Sequence, residues 1–175
     1  MHAVWRAGSV RRMAEAASNP QPVENGDVET VERVIAAPPE AIWALIADPS
    51  RHHEIDGSGT VRDAKGMPDA LELGSEFGMS MKMGLPYSMV SKVIEYEPNR
   101  RLAWQTFPPG IFRNLAGGRI WRYELEPADG GTLVRESWDI SQEKFKALVK
   151  PARKKTRDAM NATLERIAQL VESTS

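Results

Sequence analysis

The stretch Arg51-His52-His53-Glu54-Ile55-Asp56-Gly57-Ser58-Gly59 holds two of the chain's three histidines, two carboxylates and a serine. An imidazole changes charge near neutral pH and can pass a proton to or from a bound molecule, and a nearby carboxylate can fix its orientation. His52 and Asp56 are the candidates for such an acid–base role at the rim of a binding site. A metal centre needs three or four convergent donors. Neighbouring side chains on a helix point about 100° apart, so His52 and His53 share an ion poorly and no metal site is expected. The competing reading is structural: Asp56 bonds the backbone of the Gly57-Ser58-Gly59 turn and the histidines face water.

A second candidate pair emerges once two strands are set in register. "RIWRYELEP" and "TLVRESWDI" flank "ADGG" and read as a hairpin. With Pro127 opposite Thr132, Leu125 faces Val134, Tyr123 faces Glu136 and Trp121 faces Trp138, while Glu124 faces Arg135 on the other side. This register gathers the aromatics inside and forms an attractive cross-strand charge pair outside. A carboxylate among Trp121, Trp138 and Val134 is stripped of water, which raises its pKa. Glu136 thus becomes a candidate catalytic acid or base with Tyr123 beside it. The alternative is that Glu136 only bonds Tyr123, or that a bulge turns it to solvent.

The elements that must position these groups run as follows. Val28–Ala37 is rich in Val, Thr and Ile and reads as a strand. "PPEAIWALIAD" follows as a helix, with proline in its first turn, Glu40 at its positive end and an apolar face of Ile42, Trp43, Leu45 and Ile46. Asp48-Pro49 ends it. "SRHHEI" is at most another short helix, and Gly57-Ser58-Gly59 leads into the strand "TVRDAKG". "SEFGMSMKM" alternates, with Phe77, Met79, Met81 and Met83 on one face. "GLP" turns the chain into "YSMVSKVIEYE" and "PNR" turns it into "RLAWQTF"; "PPGIFRNLAGG" is a loop before the hairpin. The register of Tyr87–Glu97 stays open: a two-residue Asn99-Arg100 turn points Glu95 inward, a three-residue turn points Lys92 inward. A helix over about Pro151–Glu172 carries one apolar stripe, Thr156, Met160, Thr163, Leu164, Ile167 and Val171. An antiparallel sheet must cover its apolar face, and only this helix is large enough. A curved sheet around one helix leaves a space between them, and Phe77, Met79, Met81, Met83, Trp104, Trp121, Trp138 and Met160 are its candidate ligand-binding lining. The competing reading is a filled core.

Composition narrows the classes. With 41% hydrophobic and 27% charged residues in 175, the chain can build one core. A net charge of -1 argues against nucleic acid as partner. The basic run Lys144, Lys146, Lys150, Arg153, Lys154, Lys155 and Arg157 lacks interleaved aromatics and reads as a solvated face. The absence of cysteine removes disulfides, thiolate nucleophiles and cysteine metal sites. No apolar run reaches the ~20 residues of a membrane span, no secretory h-region is evident, and a cytoplasmic location is expected. Residues 1–26 are rich in Pro, Asn and Gly near their end and are expected to form a disordered tail, with Met13 an alternative start; residues 27–175 are expected to be a single domain.

"VERVIAAPPEAIWALIADPSRH", "YEPNRRLAW" and "YELEPADGGTLVRESWDI" together resemble the SRPBCC, or START-like, superfamily, in particular its polyketide cyclase/dehydrase-like branch. The resemblance covers roughly residues 28–172. It implies an α+β helix-grip fold, a curved antiparallel sheet wrapped around a long C-terminal helix with two short helices after the first strand. It also implies an internal cavity for lipids, hormones, polyketides or quinones. Many relatives place an aromatic residue near the position of Ile55, so the cavity lip here departs from the pattern. The expected function is binding of a small, largely apolar organic ligand, polyketide-like, aromatic or lipid-like. Cyclisation or dehydration by proton transfer through Glu136, Tyr123 and His52 would be the chemistry if the protein is an enzyme. The alternatives are a non-catalytic binding or transport module and an interaction protein with a collapsed cavity. No cofactor is expected, since no Gly-rich nucleotide loop is present, and an exposed sheet edge leaves monomer and homodimer open.

Overall fold

The structure is a computed structural model that describes residues 26–66, 68 and 70–173. The expected tail and the alternative start at Met13 lie, apart from Gly26, outside the described residues. Seven strands form one antiparallel sheet: β1 (Val28–Ile35), β2 (Val61–Lys65), β3 (Glu76–Met83), β4 (Leu85–Glu97), β5 (Arg101–Phe107), β6 (Arg119–Ala128) and β7 (Gly131–Asp139). Their order is β1-β7-β6-β5-β4-β3-β2, so the first strand closes onto the last. Between β1 and β2 lie helix α1 (Pro39–Ile46), a 3-10 turn (Pro49–Arg51) and the one-turn helix α2 (His52–Ile55). After β7 come α3 (Lys146–Val149), a 3-10 turn (Lys150–Ala152) and the long helix α4 (Arg153–Glu172). The long helix thus begins two residues later than its periodicity suggests, because Pro151 sits in the tight turn before it.

Local chemistry explains these boundaries. Pro39 opens α1 and Glu40 lies in its first turn, while Ile42, Leu45 and Ile46 bury its inner face. Asp48 then caps the next turn, its Oδ1 accepting from the Ser50 N–H at 2.9 Å. In α4, Met160, Leu164, Ile167 and Val171 are buried against the sheet. They join Val31, Ile35, Leu102, Leu125 and Val134 in one core.

The β6–β7 hairpin has the register read from the sequence, with Pro127 opposite Thr132, Tyr123 opposite Glu136 and Trp121 opposite Trp138. Glu124 lies opposite Arg135, whose Nη1 is 3.9 Å from its carboxylate. Arg135 also pairs with Glu32 on β1 and Glu126, so the outer face carries a network rather than one pair.

In β4 neither register alternative holds alone. Glu97 pairs with Arg101 across a three-residue turn in which Asn99 adopts φ 60°. A bulge between Val93 and Glu95 then shifts the pairing by one. As a result Val93 is buried, Tyr96 packs edge-on to Trp43 at 5.5 Å, and Lys92 is exposed. Glu95 turns outward to a forked ion pair with Arg122 (2.7 Å).

Candidate functional site

A cavity of about 320 Å³ lies between the inner face of the sheet and α4. Such a volume is at the lower end of what small-molecule sites occupy. Phe77, Met79, Met81 and Met83 of β3, Trp104 of β5, Trp121 and Tyr123 of β6, Glu136 of β7 and Met160 of α4 line it, as do His52 and Asp56 from the corner after α1. Met83, at the tip of the β3–β4 hairpin, is 62% exposed and marks the mouth rather than the interior. Trp138 is a correction. It is buried in the core and does not reach the cavity, because it sits beside Glu29 of β1, where the arginines of the first turns of α4 come down onto the sheet.

Those arginines correct a second reading. The basic run is not simply a solvated face. Glu29 is 0% exposed and is gripped by Arg153 (2.8 Å) and Arg157 (2.6 Å). Lys146 and Lys150 both reach Asp27. Burial pushes the Glu29 carboxyl up, but the hydrogen bonds and charges of Arg157 and Arg153 outweigh it and hold it below its usual value. Cations that would oppose the dipole of α4 instead fasten its start to β1.

The opening cluster separates into three roles. His53 is exposed, its Nδ1 against the Ser50 carbonyl at 2.8 Å. Asp56 braces the turn: Oδ1 accepts from the Ser58 N–H (2.9 Å) and hydroxyl (2.6 Å), and Oδ2 accepts from the Val61 N–H (2.8 Å). Gly57 is required by a close approach. A Cβ there would come within 2.5 Å of the Thr163 nitrogen and 2.8 Å of Ala162 Cβ on α4. Its own N–H donates to Thr163 Oγ1 at 3.0 Å. This contact locks the corner to the helix and carries the preceding residues into the cavity wall.

His52 is therefore buried, at 8% exposure. Its ring stacks on Trp104 at 5.3 Å and meets the edge of Phe77 at 5.9 Å. Nε2 lies 2.9 Å from the Ile46 carbonyl. A carbonyl only accepts, so Nε2 carries the hydrogen and Nδ1 of the neutral ring is the acceptor. Burial pushes the imidazole below its ordinary pKa, against the Ile46 bond and the charges of Asp48 and Asp56.

Glu136, opposite the buried Tyr123, is a further buried ionisable group of the cavity wall, at 3% exposure. Burial raises its pKa to about 8, a hydrogen bond from Tyr123 pulls it partly back, and the charge of Asp56 adds to the rise. Near neutral pH the carboxyl is mostly protonated. Its Oε2 is buried with no hydrogen-bond partner among the described residues, which leaves one polar atom available to a ligand. Tyr123 is pushed well above its ordinary value by burial and then by the nearby Glu136, so the phenol stays neutral.

Ser91, Thr106, Tyr87, Met89 and Arg119 also line the cavity and were not singled out in the sequence. Arg119 had a signal. It precedes Trp121 and Tyr123 at strand spacing on β6, and the period of two points it the same way.

A seven-stranded antiparallel sheet gripping a C-terminal helix, with a partly polar cavity between them, defines the helix-grip class. The chain belongs to the polyketide cyclase / dehydrase and lipid transport family, whose model matches residues 28–172. An uncharacterized protein of Mycobacterium tuberculosis, Rv0088, is 39% identical over 107 residues, 60% of this chain and 44% of that protein. A second M. tuberculosis protein, MT0096, is 40% identical over the same shares. The alignment thus spans less than half the length of these relatives. Among solved structures, protein Ms6760 from Mycobacterium smegmatis superimposes with a TM-score of 0.68 at 16% identity, covering 89% of this chain and 99% of that one. Protein CV1439 from Chromobacterium violaceum gives 0.66 at 18% identity, covering 85% and 99%. At these identities the likeness shows the shared fold.

Proposed function

We propose that the cavity binds a small, largely apolar organic molecule carrying a carbonyl or hydroxyl group, and that Glu136 exchanges a proton with it. The observation that carries this reading is the buried Glu136 carboxyl, with Oε2 unpartnered in a cavity whose apolar surface includes Phe77, Met79, Met81, Trp104 and Trp121. Protonated, it donates a hydrogen bond to a carbonyl oxygen; ionised, it takes a proton from the adjacent carbon. In a cyclisation, that proton moves to Glu136 and the enolate carbon attacks a second carbonyl of the same molecule, forming a C–C bond. Glu136 returns the proton to the new alkoxide. Dehydration then removes that hydroxyl and a neighbouring proton as water. Protons balance and no electrons are exchanged, so an acid–base pair and a shaped, dry cavity are sufficient. Membership of a family described for polyketide cyclases, dehydrases and lipid transport supports this class of ligand.

Native mass spectrometry of the protein purified from its own host tests the reading, followed by thermal shift against apolar carbonyl compounds. The expected result is a co-purifying or stabilising small molecule whose conversion is lost in Glu136→Gln while binding is kept. Binding without conversion by the unaltered protein would assign it to transport. No bound molecule and no shift from aromatic or lipid ligands would reject the cavity as a ligand site.

A further inference from the structure

Arg119 carries an inference about the ligand that rests on the binding reading above. Its guanidinium is anchored at one edge only. Nε lies 3.0 Å from Glu143 Oε2, and the Glu143 side chain is only 3% exposed. Neither atom has hydrogen-bond alignment despite the short distance, so the contact is an ion pair that fixes position. Glu143 is itself placed by its backbone, whose N–H donates to the Ile140 carbonyl at 3.0 Å. The two terminal nitrogens of Arg119 donate no hydrogen bond to any described residue, although the residue lines the cavity.

A guanidinium held by Nε presents its terminal fork outward, and that planar fork matches two oxygens of a carboxylate or phosphate. Lys155 also lines the cavity. Asp56 opposes an anion, but its two oxygens are already taken by the Ser58 and Val61 donors. It also lies further along α4, at the corner that Gly57 packs against Ala159–Thr163.

We infer that the ligand is amphipathic and anionic, with an apolar body between the methionines and Trp104 and a terminal carboxylate or phosphate received by the fork of Arg119. The acid end lies at Arg119 and any carbonyl lies at Glu136. The two polar groups then set the direction in which the molecule enters.

The test is binding, followed by quenching of tryptophan fluorescence, of matched probes: dodecanoate, dodecyl phosphate, methyl dodecanoate and dodecanol. The unaltered protein is expected to bind one or both anions at least ~10-fold more tightly than the ester and alcohol, a difference typical of one charge-assisted hydrogen-bonded contact. The preferred anion distinguishes carboxylate from phosphate as the headgroup. Arg119→Gln leaves Glu143 buried without its cation, so Arg119→Gln/Glu143→Gln is measured beside it. Both variants are expected to lose the preference while keeping affinity for the ester. Equal binding of ester and anions, or a preference surviving in the double variant, would overturn the inference and leave the cavity reading intact. Failure of all four probes to bind would overturn both.

Discussion

Tyr123 and Glu136 stand directly opposite each other on β6 and β7, both buried and both lining the cavity. Since the phenol is neutral and the carboxyl is raised to about 8, the pair carries little charge at neutral pH. The folded state holds the Glu136 proton up to about pH 8, whereas an unfolded chain releases it near 4.5. Between those values the native state binds more protons, so stability must fall as pH rises, by up to about 1.4 kcal/mol per unit from this group. Thermal unfolding should show this decline between about pH 6.5 and 8, and Glu136→Gln should abolish it.

His52 acts in the opposite direction. Its pKa is depressed by burial below 6.5, so the unfolded chain binds the extra proton and stability is lost as pH falls below about 6.5. His52→Gln should flatten that acid limb in denaturant unfolding followed at pH 5, 6 and 7. It should also cost about 0.5–1.5 kcal/mol at pH 7 through the lost stacking on Trp104.

Glu29 fastens the start of α4 to β1. Glu29→Ala would leave Arg153 and Arg157 facing a buried void. Breaking a fully buried pair costs about 3–5 kcal/mol, and partial exposure of the arginines reduces this to about 2 kcal/mol. Hydrogen exchange should show faster opening of the first turns of α4, while α1 stays protected.

Gly57→Ala should destabilise by at least about 2 kcal/mol, because its Cβ would collide with backbone and Ala162 of α4. Gly59→Ala meets open space and suffers only its φ of 67°, a cost of about 1 kcal/mol. Chemical denaturation of both variants separates steric contact from backbone strain; equal losses would contradict the account.

Much of this site was legible in the sequence, since strand alternation is local. Pairing Pro127 with Thr132 was enough to bring Tyr123 to Glu136. The corner at Asp56 followed from turn chemistry. What escaped depended on relations across the fold. Trp138 faces inward by its period but is covered by the salt-bridged start of α4. The bulge in β4 turns Glu95 and Lys92 outward together, which no regular alternation allows. The basic run looked solvated because its partners, Asp27 and Glu29, lie more than a hundred residues earlier in the chain. His52 and His53 adjoin in sequence yet divide between the cavity wall and the surface, because neighbouring side chains on a helix point about 100° apart.

The central claim is that a protonated Glu136 waits in a ligand cavity, and its titration tests this most directly. In protein labelled with ¹³C at glutamate side-chain carboxyls, the Glu136 resonance, assigned by its loss in Glu136→Gln, should titrate with a midpoint near 8. A midpoint close to the ordinary 4.5 would show a solvated carboxylate and contradict the account.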